Sequence, residues 1–256
     1  RHHLLAGKKP KSCSRCWANE KRSFPSARES AMIRYVLDDK GFNYDINEII
    51  EKPQIRSLDL KFSNKCNLHC LMCNAGNSDM WVPLDRKIVE YLEKTVDVNP
   101  LNVGQTTFKW KEFVRPGHDD PIVDQPFSLE LFEEIKSLVP QLHEIQCTGG
   151  EPFISEQFIK LLKYIIETGH AGHIELEITT NGTKFVADVM ELLTHFKHIR
   201  FLVSIDGTGS IYDYIRAPFK YDILLERLHV LQDYMSSGRI NAMVDISAVA
   251  MSYNLF

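Results

Sequence analysis

Three cysteines lie close together in the stretch Cys66-Asn-Leu-His-Cys70-Leu-Met-Cys73. Thiolates are soft ligands, and three on one short loop can converge on a single metal centre. An iron–sulfur cluster is normally held by four thiolates, so one held by three leaves an iron open to bind something else. The competing set is zinc, with His69 added to Cys66, Cys70 and Cys73 as a fourth ligand, although neighbours such as His69 and Cys70 rarely ligate one ion. Cys147 stands apart in a strand-like run and reads as a buried core thiol.

Polar and glycine-bearing residues recur where later strand-like runs stop. Thr148-Gly149-Gly150-Glu151-Pro152 ends one run, and its glycines let the backbone approach closely while carbonyl and carboxylate oxygens suit a cationic amine. Ser204 and Asp206 close another run, and Arg216 follows ten residues later. Asn181 and Asn254 follow two more, at positions where asparagine is also common for conformational reasons.

The cysteine spacing directly after a first strand, with Gly-Gly-Glu after the second, resembles the radical S-adenosylmethionine (radical SAM) superfamily over roughly residues 55–256. The resemblance implies that Cys66, Cys70 and Cys73 hold a [4Fe–4S] cluster whose open iron is chelated by the amino and carboxylate groups of SAM. Met72, where the family often carries an aromatic residue, would offer a soft apolar surface near the adenine. Gly149, Gly150 and Glu151 would receive the methionyl amino group. Ser204 and Asp206 would bind the ribose and Arg216 the SAM carboxylate, with Asn181 and Asn254 as further contacts.

The implied reaction is reductive cleavage of SAM to a 5′-deoxyadenosyl radical that abstracts hydrogen from a substrate. A low-potential electron donor, flavodoxin or ferredoxin, is the implied partner. The implied substrate is a peptide or protein side chain, with a small-molecule or nucleotide-derived substrate as the alternative. A zinc-stabilised binding module is the non-catalytic alternative.

Near the amino terminus, Cys13-Ser-Arg-Cys16-Trp-Ala-Asn-Glu20 followed by Ser26 to Arg28 is similar to the closing portion of the SPASM or twitch segment. That resemblance implies an auxiliary Fe–S cluster at Cys13 and Cys16, completed by ligands from elsewhere because two thiolates cannot hold a cluster alone. Half of a small zinc site, or two unconnected structural thiols, are the other readings. Here the segment precedes the barrel, whereas in the better-known enzymes it follows it.

The elements that must position these residues alternate. Strands are expected at Ser57 to Phe62, Glu144 to Thr148, Ile174 to Thr180, Arg200 to Ile205 and Ala242 to Met251. Helices are expected at Leu84 to Val96, Leu129 to Val139, Glu156 to Thr168, Phe185 to Phe196 and Ile223 to Tyr234. Leu224, Leu228 and Leu231 have the spacing of a core-facing stripe, and Gly169 and Gly238 sit where helix ends favour positive φ. Alternation of this kind specifies a parallel α/β sheet, and the resemblance makes it a partial (β/α)6 barrel with its site at the C-terminal strand ends. Residues 97–127 read as a long insertion with a short hairpin. Residues 1–54 form a separate small segment before a core at 55–256, with a helix at Met32 to Leu37 and a strand at Phe42 to Ile50.

The composition fits such a core, with 44% hydrophobic and 25% charged residues in 256. A net charge of −4 gives no global attraction for nucleic acid while leaving a local basic groove open, and no apolar run is long enough for a membrane span. Five of the six cysteines fall in two clusters rather than spread as disulfide partners, which places the chain in a reducing, cytoplasmic compartment. The start at Arg1 and the end at Phe256 read as internal to a longer protein, with a sixth strand beyond.

Overall fold

The computed structural model describes residues 7–33, 55–95, 101–103, 106–108 and 127–255, and the chain divides into two compact units, Arg1–Gln54 and Ile55–Phe256. In the first unit a 3-10 turn at Lys11–Cys13 runs into α1, Ser14–Lys21, and a short break leads to α2, Ala27–Met32. Ser26 caps α2 reciprocally: its Oγ accepts the Glu29 N–H and the Glu29 carboxylate accepts the Ser26 N–H, each at 3.1 Å. Glu20 on α1 accepts from Ser26 Oγ at 2.6 Å and from Arg28 Nη2 at 2.7 Å. The Arg28 guanidinium lies 4.5 Å over the Trp17 ring, with the Lys9 ammonium 5.0 Å from the same ring. Trp17, Glu20, Ser26 and Arg28 thus close one local structure directly after Cys13 and Cys16. The helix expected at Met32 to Leu37 lies outside the described residues after Ile33, and so does the whole strand expected at Phe42 to Ile50.

The second unit begins with β1, Ser57–Lys61, and α3, Val82–Thr95. An antiparallel hairpin of β2, Leu101–Val103, and β3, Thr106–Phe108, occupies the expected insertion. Then follow α4 (Leu129–Leu138), β4 (Glu144–Thr148), α5 (Glu156–Glu167), β5 (Glu175–Thr180), α6 (Ala187–Leu193), β6 (His198–Ser204), α7 (Gly209–Ile215), α8 (Tyr221–Ser236) and β7 (Ala242–Ser247). The five long strands pair in the order β1-β4-β5-β6-β7, all parallel. The architecture is therefore α/β, a partial parallel barrel. Among the described residues no helix is long and apolar enough to cross a membrane.

The register explains why the sheet has two different faces, because side chains alternate with a period of two. One transverse row runs Leu58, Ile145, Leu176, Ile199, and the next runs Leu60, Cys147, Ile178, Phe201. These rows join a core with Ile135, Phe158, Leu161, Leu162, Ile165, Met190, Leu193 and Leu231 from the helices. Each fully buried aliphatic or aromatic side chain there contributes about 1.5–3 kcal/mol. The opposite face carries the row Asp59, Gln146, Glu177, Arg200. Arg200 donates from Nε to Asp245 at 2.7 Å and from Nη1 to Glu177 at 3.2 Å, bridging β5, β6 and β7.

Local chemistry sets the element ends. Ser128 and Ser155 accept from Leu131 N and Phe158 N at 3.2 and 3.4 Å, capping α4 and α5. Gly169 and Gly238, at φ +76° and +71°, follow the last turns of α5 and α8. Two elements fall short of their sequence patterns by several residues. The α6 helix starts at Ala187 because Val186 is extended, at φ −122°. The β7 strand stops at Ser247 rather than Met251 because the Val249 N–H leaves the ladder and donates to Asp206 Oδ1 at 2.7 Å.

Candidate functional site

The loop that follows β1 carries all three cysteines and is held from several sides. Nearest to the sheet, Gly150 N–H donates to Ser63 O at 3.1 Å and Glu151 N–H to Lys65 O at 2.9 Å, which continues the β1–β4 pairing past the strand ends. Gly149, at φ +129°, and Gly150 are required for this approach. A Cβ on Gly150 would lie 2.0 Å from Lys65 O, and one on Gly149 would lie 2.8 Å from Ser63 O. The glycines therefore seat the cysteine loop on β4.

Glu151 is 1% exposed, and its carboxylate ties β4 to β5. Oε1 accepts from Thr180 Oγ1 at 2.8 Å and Phe153 N at 3.3 Å, and Oε2 accepts from Asn181 N at 2.8 Å. Burial raises this carboxyl to about 7, and the three donors oppose that rise. Asn181 in turn hooks the cysteine loop. Its Nδ2 donates to Asn67 Oδ1 at 2.9 Å and lies 3.9 Å from Cys66 Sγ, while its Oδ1 accepts from Thr183 Oγ1 at 2.7 Å. Asn67 Nδ2 returns a bond to Thr183 Oγ1 at 2.8 Å.

On another side the loop pairs with the end of α7. His69 N–H donates to Ala217 O and Leu71 N–H to Ile215 O, both at 2.9 Å. This sets Cys70 opposite Arg216, whose Nη1 is 3.7 Å from Cys70 Sγ. Arg216 is paired with Asp206, from Nε and Nη2 to Oδ2 at 2.6 Å each, with the Asp206 side chain 0% exposed. The remainder of the loop is fixed by Asp79 Oδ1, which accepts from Cys66 N at 2.8 Å, and by Trp81 Nε1, which donates to Cys70 O at 3.0 Å.

Other expected site residues are placed differently. Ser204 ends β6, half-buried and in register with Ser247. Met72 is half-buried beside Cys73. Asn254 donates from Nδ2 to Asp206 O and Val249 O at 2.8 Å each, and its Oδ1 accepts from Met251 N at 2.7 Å, so its amide is engaged in holding the loop after β7. The Asp206 carboxylate likewise faces Arg216 and Val249 N rather than an open cleft. In the first unit Cys13 is the N-cap of α1 and Cys16 lies in its first turn, both half-buried free thiols. Cys147 is 1% exposed, and burial pushes its thiol well up.

Asn67, Thr180, Thr183 and Asp79 are structural partners that the sequence reading does not single out. Their signal was proximity alone: Asn67 lies inside the cysteine motif, and Thr180 and Thr183 flank Asn181-Gly182.

Three thiols on one loop are a donor set that fits a soft metal centre such as an iron–sulfur cluster. Burial pushes the Cys66, Cys70 and Cys73 thiols up, Cys70 to about 11, while Arg216 acts in the opposite direction at Cys70 and Cys73. His69 is turned toward Trp81, ring centroids 6.5 Å apart. Among the described residues four buried polar atoms lack a hydrogen-bond partner: His69 Nδ1, the Tyr212 hydroxyl, Trp17 Nε1 and Arg227 Nε. His69 adjoins Cys70, and the Tyr212 phenol lies within the electrostatic reach of Cys70, Arg216 and Asp206. A group bound at Cys70 could partner His69 Nδ1 or the Tyr212 hydroxyl.

No curated protein matches the chain. Among solved structures it is similar to native anSMEcpe with bound AdoMet, at 16% identity and a TM-score of 0.43 over 74% of this chain and 43% of that one. It is similar also to Streptococcus suis SuiB bound to S-adenosylmethionine, at 14% identity and a TM-score of 0.37 over 89% and 52%. The chain thus spans about half or less of these structures' length. The assignment rests instead on the family model of the Radical SAM superfamily, which matches residues 60–245, well over half of the sequence and all the strands that carry the site. Members of that superfamily are enzymes that use a [4Fe–4S] cluster and SAM, and this chain belongs to it.

Proposed function

We propose that this chain carries the SAM-cleaving site of a radical SAM enzyme, with Cys66, Cys70 and Cys73 as the ligands of its [4Fe–4S] cluster. The observation that carries the reading is that three thiols on one loop are braced by Gly149 to Glu151 and Asn181, each at a strand end, and by Arg216 at the end of α7. Cys66, Cys70 and Cys73 would hold a cluster that would supply one electron for reductive cleavage of SAM into methionine and a 5′-deoxyadenosyl radical, the species that would take hydrogen from a substrate. The protein's part is to hold and orient. The glycine pair seats the cysteine loop, and the Asn67–Asn181–Thr183 network fixes the Cys66 end. Arg216 places a cation beside Cys70, and Ser204 supplies a hydroxyl on the same edge of the sheet for a polar cofactor group.

A peptide or protein is the proposed substrate class, supported by the likeness of the Cys13 to Arg28 segment to SPASM or twitch proteins. In this reading Cys13 and Cys16 contribute two ligands of an auxiliary cluster. The local structure built by Trp17, Glu20, Ser26 and Arg28 supports a segment constructed around that pair. A small-molecule or nucleotide-derived substrate is the second reading. A low-potential flavodoxin or ferredoxin in a reducing, cytoplasmic compartment is the proposed electron source.

The open iron is tested by electron paramagnetic resonance of the reconstituted, reduced chain. Adding SAM is expected to change the cluster signal, and a signal indifferent to saturating SAM contradicts the three-cysteine site. Transfer of deuterium from a labelled peptide into 5′-deoxyadenosine supports the peptide class, whereas transfer only from a labelled small molecule favours the second reading.

A further inference from the structure

Asp206 and Arg216 are arranged in a way that their separate assignments to ribose and carboxylate do not explain. Arg216 spends two of its three nitrogens, Nε and Nη2, on the single oxygen Oδ2 of Asp206, at 2.6 Å each. The third, Nη1, is left 3.7 Å from Cys70 Sγ. Asp206 is itself immobilised, because Oδ1 accepts from Val249 N at 2.7 Å and its backbone carbonyl accepts from Asn254 Nδ2 at 2.8 Å. The partners are 9% and 0% exposed at the side chain, so neither is free to swing toward solvent. The backbone aligns the same contact, since residues 69 and 71 bond to residues 217 and 215 on either side of Cys70 and Arg216.

We infer that Asp206 is a positioning residue that locks Arg216 against Cys70, so that the arginine tunes the reduction potential of the cluster through the Cys70 sulfur. The inference rests on the cluster assignment made above. A guanidinium N–H directed at a thiolate sulfur is a charge-assisted contact, and hydrogen bonds and net charge at cysteine sulfurs set the potentials of Fe–S clusters. Adding an electron makes the cluster more negative, so a cation held at Cys70 favours the reduced state. The sulfur is otherwise buried, and burial penalises its negative charge, which leaves Arg216 as the compensating group. Asn254 and Val249 become part of the device: the loop after β7 fixes the carboxylate, the carboxylate fixes the guanidinium, and the guanidinium faces the sulfur.

The test uses the whole chain, reconstituted anaerobically and measured without SAM. D206E keeps the carboxylate charge but, one methylene longer, displaces the guanidinium from Cys70. R216K retains the charge but cannot reach Asp206 and Cys70 together. In both, the midpoint potential is expected to move negative. Poised at the wild-type midpoint, the reduced-to-oxidised ratio should fall about tenfold, equivalent to about 59 mV for one electron. If D206E fails to fold, R216K carries the test.

Cluster-loaded variants whose SAM-free midpoints match the wild type, with only SAM affinity weakened, would overturn the inference and leave Arg216 as a SAM ligand. A wild-type chain that assembles no [4Fe–4S] cluster would overturn the cluster assignment and this inference with it.

Discussion

Substituting Gly150 with alanine tests how the cysteine loop is seated. The added Cβ would lie 2.0 Å from Lys65 O, 2.6 Å from Lys65 C and 2.8 Å from the Asn64 carbonyl carbon. All three atoms are backbone, so no side-chain rotation relieves the clash. To reach even 3.0 Å from the new methyl, the chain just before Cys66 must recede by about 1 Å. That movement disrupts the Gly150 N–H to Ser63 O and Glu151 N–H to Lys65 O bonds. Two backbone hydrogen bonds at about 1 kcal/mol each, with overpacking of about 1–3 kcal/mol, give a loss of about 3–5 kcal/mol. For a unit of this size the melting temperature should fall by roughly 10 °C.

The assay is thermal unfolding of the metal-free chain, together with iron and sulfide content after reconstitution. Gly172→Ala is the control, because its Cβ would meet nothing within 4 Å and it should melt like the wild type. A Gly150→Ala protein that melts within a degree or two of the wild type and loads a full cluster would refute the seating argument.

Asn181→Ala removes the amide that joins Asn67, Thr183 and the Cys66 end of the loop. It should cost about 1–3 kcal/mol and hasten iron release to a chelator relative to the wild type, as read by absorbance. Glu151 gives a pH signature: its folded value of about 7 lies above the ordinary 4.5, so the folded state binds the proton more tightly. Its stabilising contribution is full below pH 4.5 and declines as pH rises toward 7, by about 3 kcal/mol at most. Glu151→Gln should abolish that decline in denaturant titrations of the metal-free chain, and an unchanged pH slope would count against the buried carboxyl. The opposite slope is expected from His143, whose value is lowered by burial and then by Arg56, and from His173, lowered by burial and then by His170. Each favours the neutral ring in the fold, so stability is lost as pH falls through 6.5, and His143→Gln should flatten that acid limb.

The sheet was legible because its two patterns agree. Leu58, Leu60, Ile145 and Ile178 alternate with polar residues, and glycine, asparagine or cysteine follows soon after most of the strands. Strand ends were less legible, since Val249 and Met251 look apolar enough to continue β7, while a buried carboxylate distant in sequence draws the Val249 N–H out of the ladder. At the site, residue types and strand-end positions could be read from sequence, but pairings could not. Asp206 and Arg216 have the chemistry of ribose and carboxylate ligands, and only the packing of α7 against the cysteine loop shows that they bind each other. Asn67 and Thr183 were hidden for a similar reason, because an asparagine within a loop gives no sign of which strand end it will meet.

The central claim is that Cys66, Cys70 and Cys73 together make a SAM-cleaving iron–sulfur site, and one measurement tests it most directly. The chain is reconstituted anaerobically, analysed for iron, sulfide and zinc, and then reduced with dithionite in the presence of SAM while 5′-deoxyadenosine is quantified. The expected result is iron and sulfide in equal proportion with 5′-deoxyadenosine formed, and neither in Cys66→Ala. Zinc without iron or sulfide, with no 5′-deoxyadenosine, or undiminished cleavage in Cys66→Ala, would contradict the account.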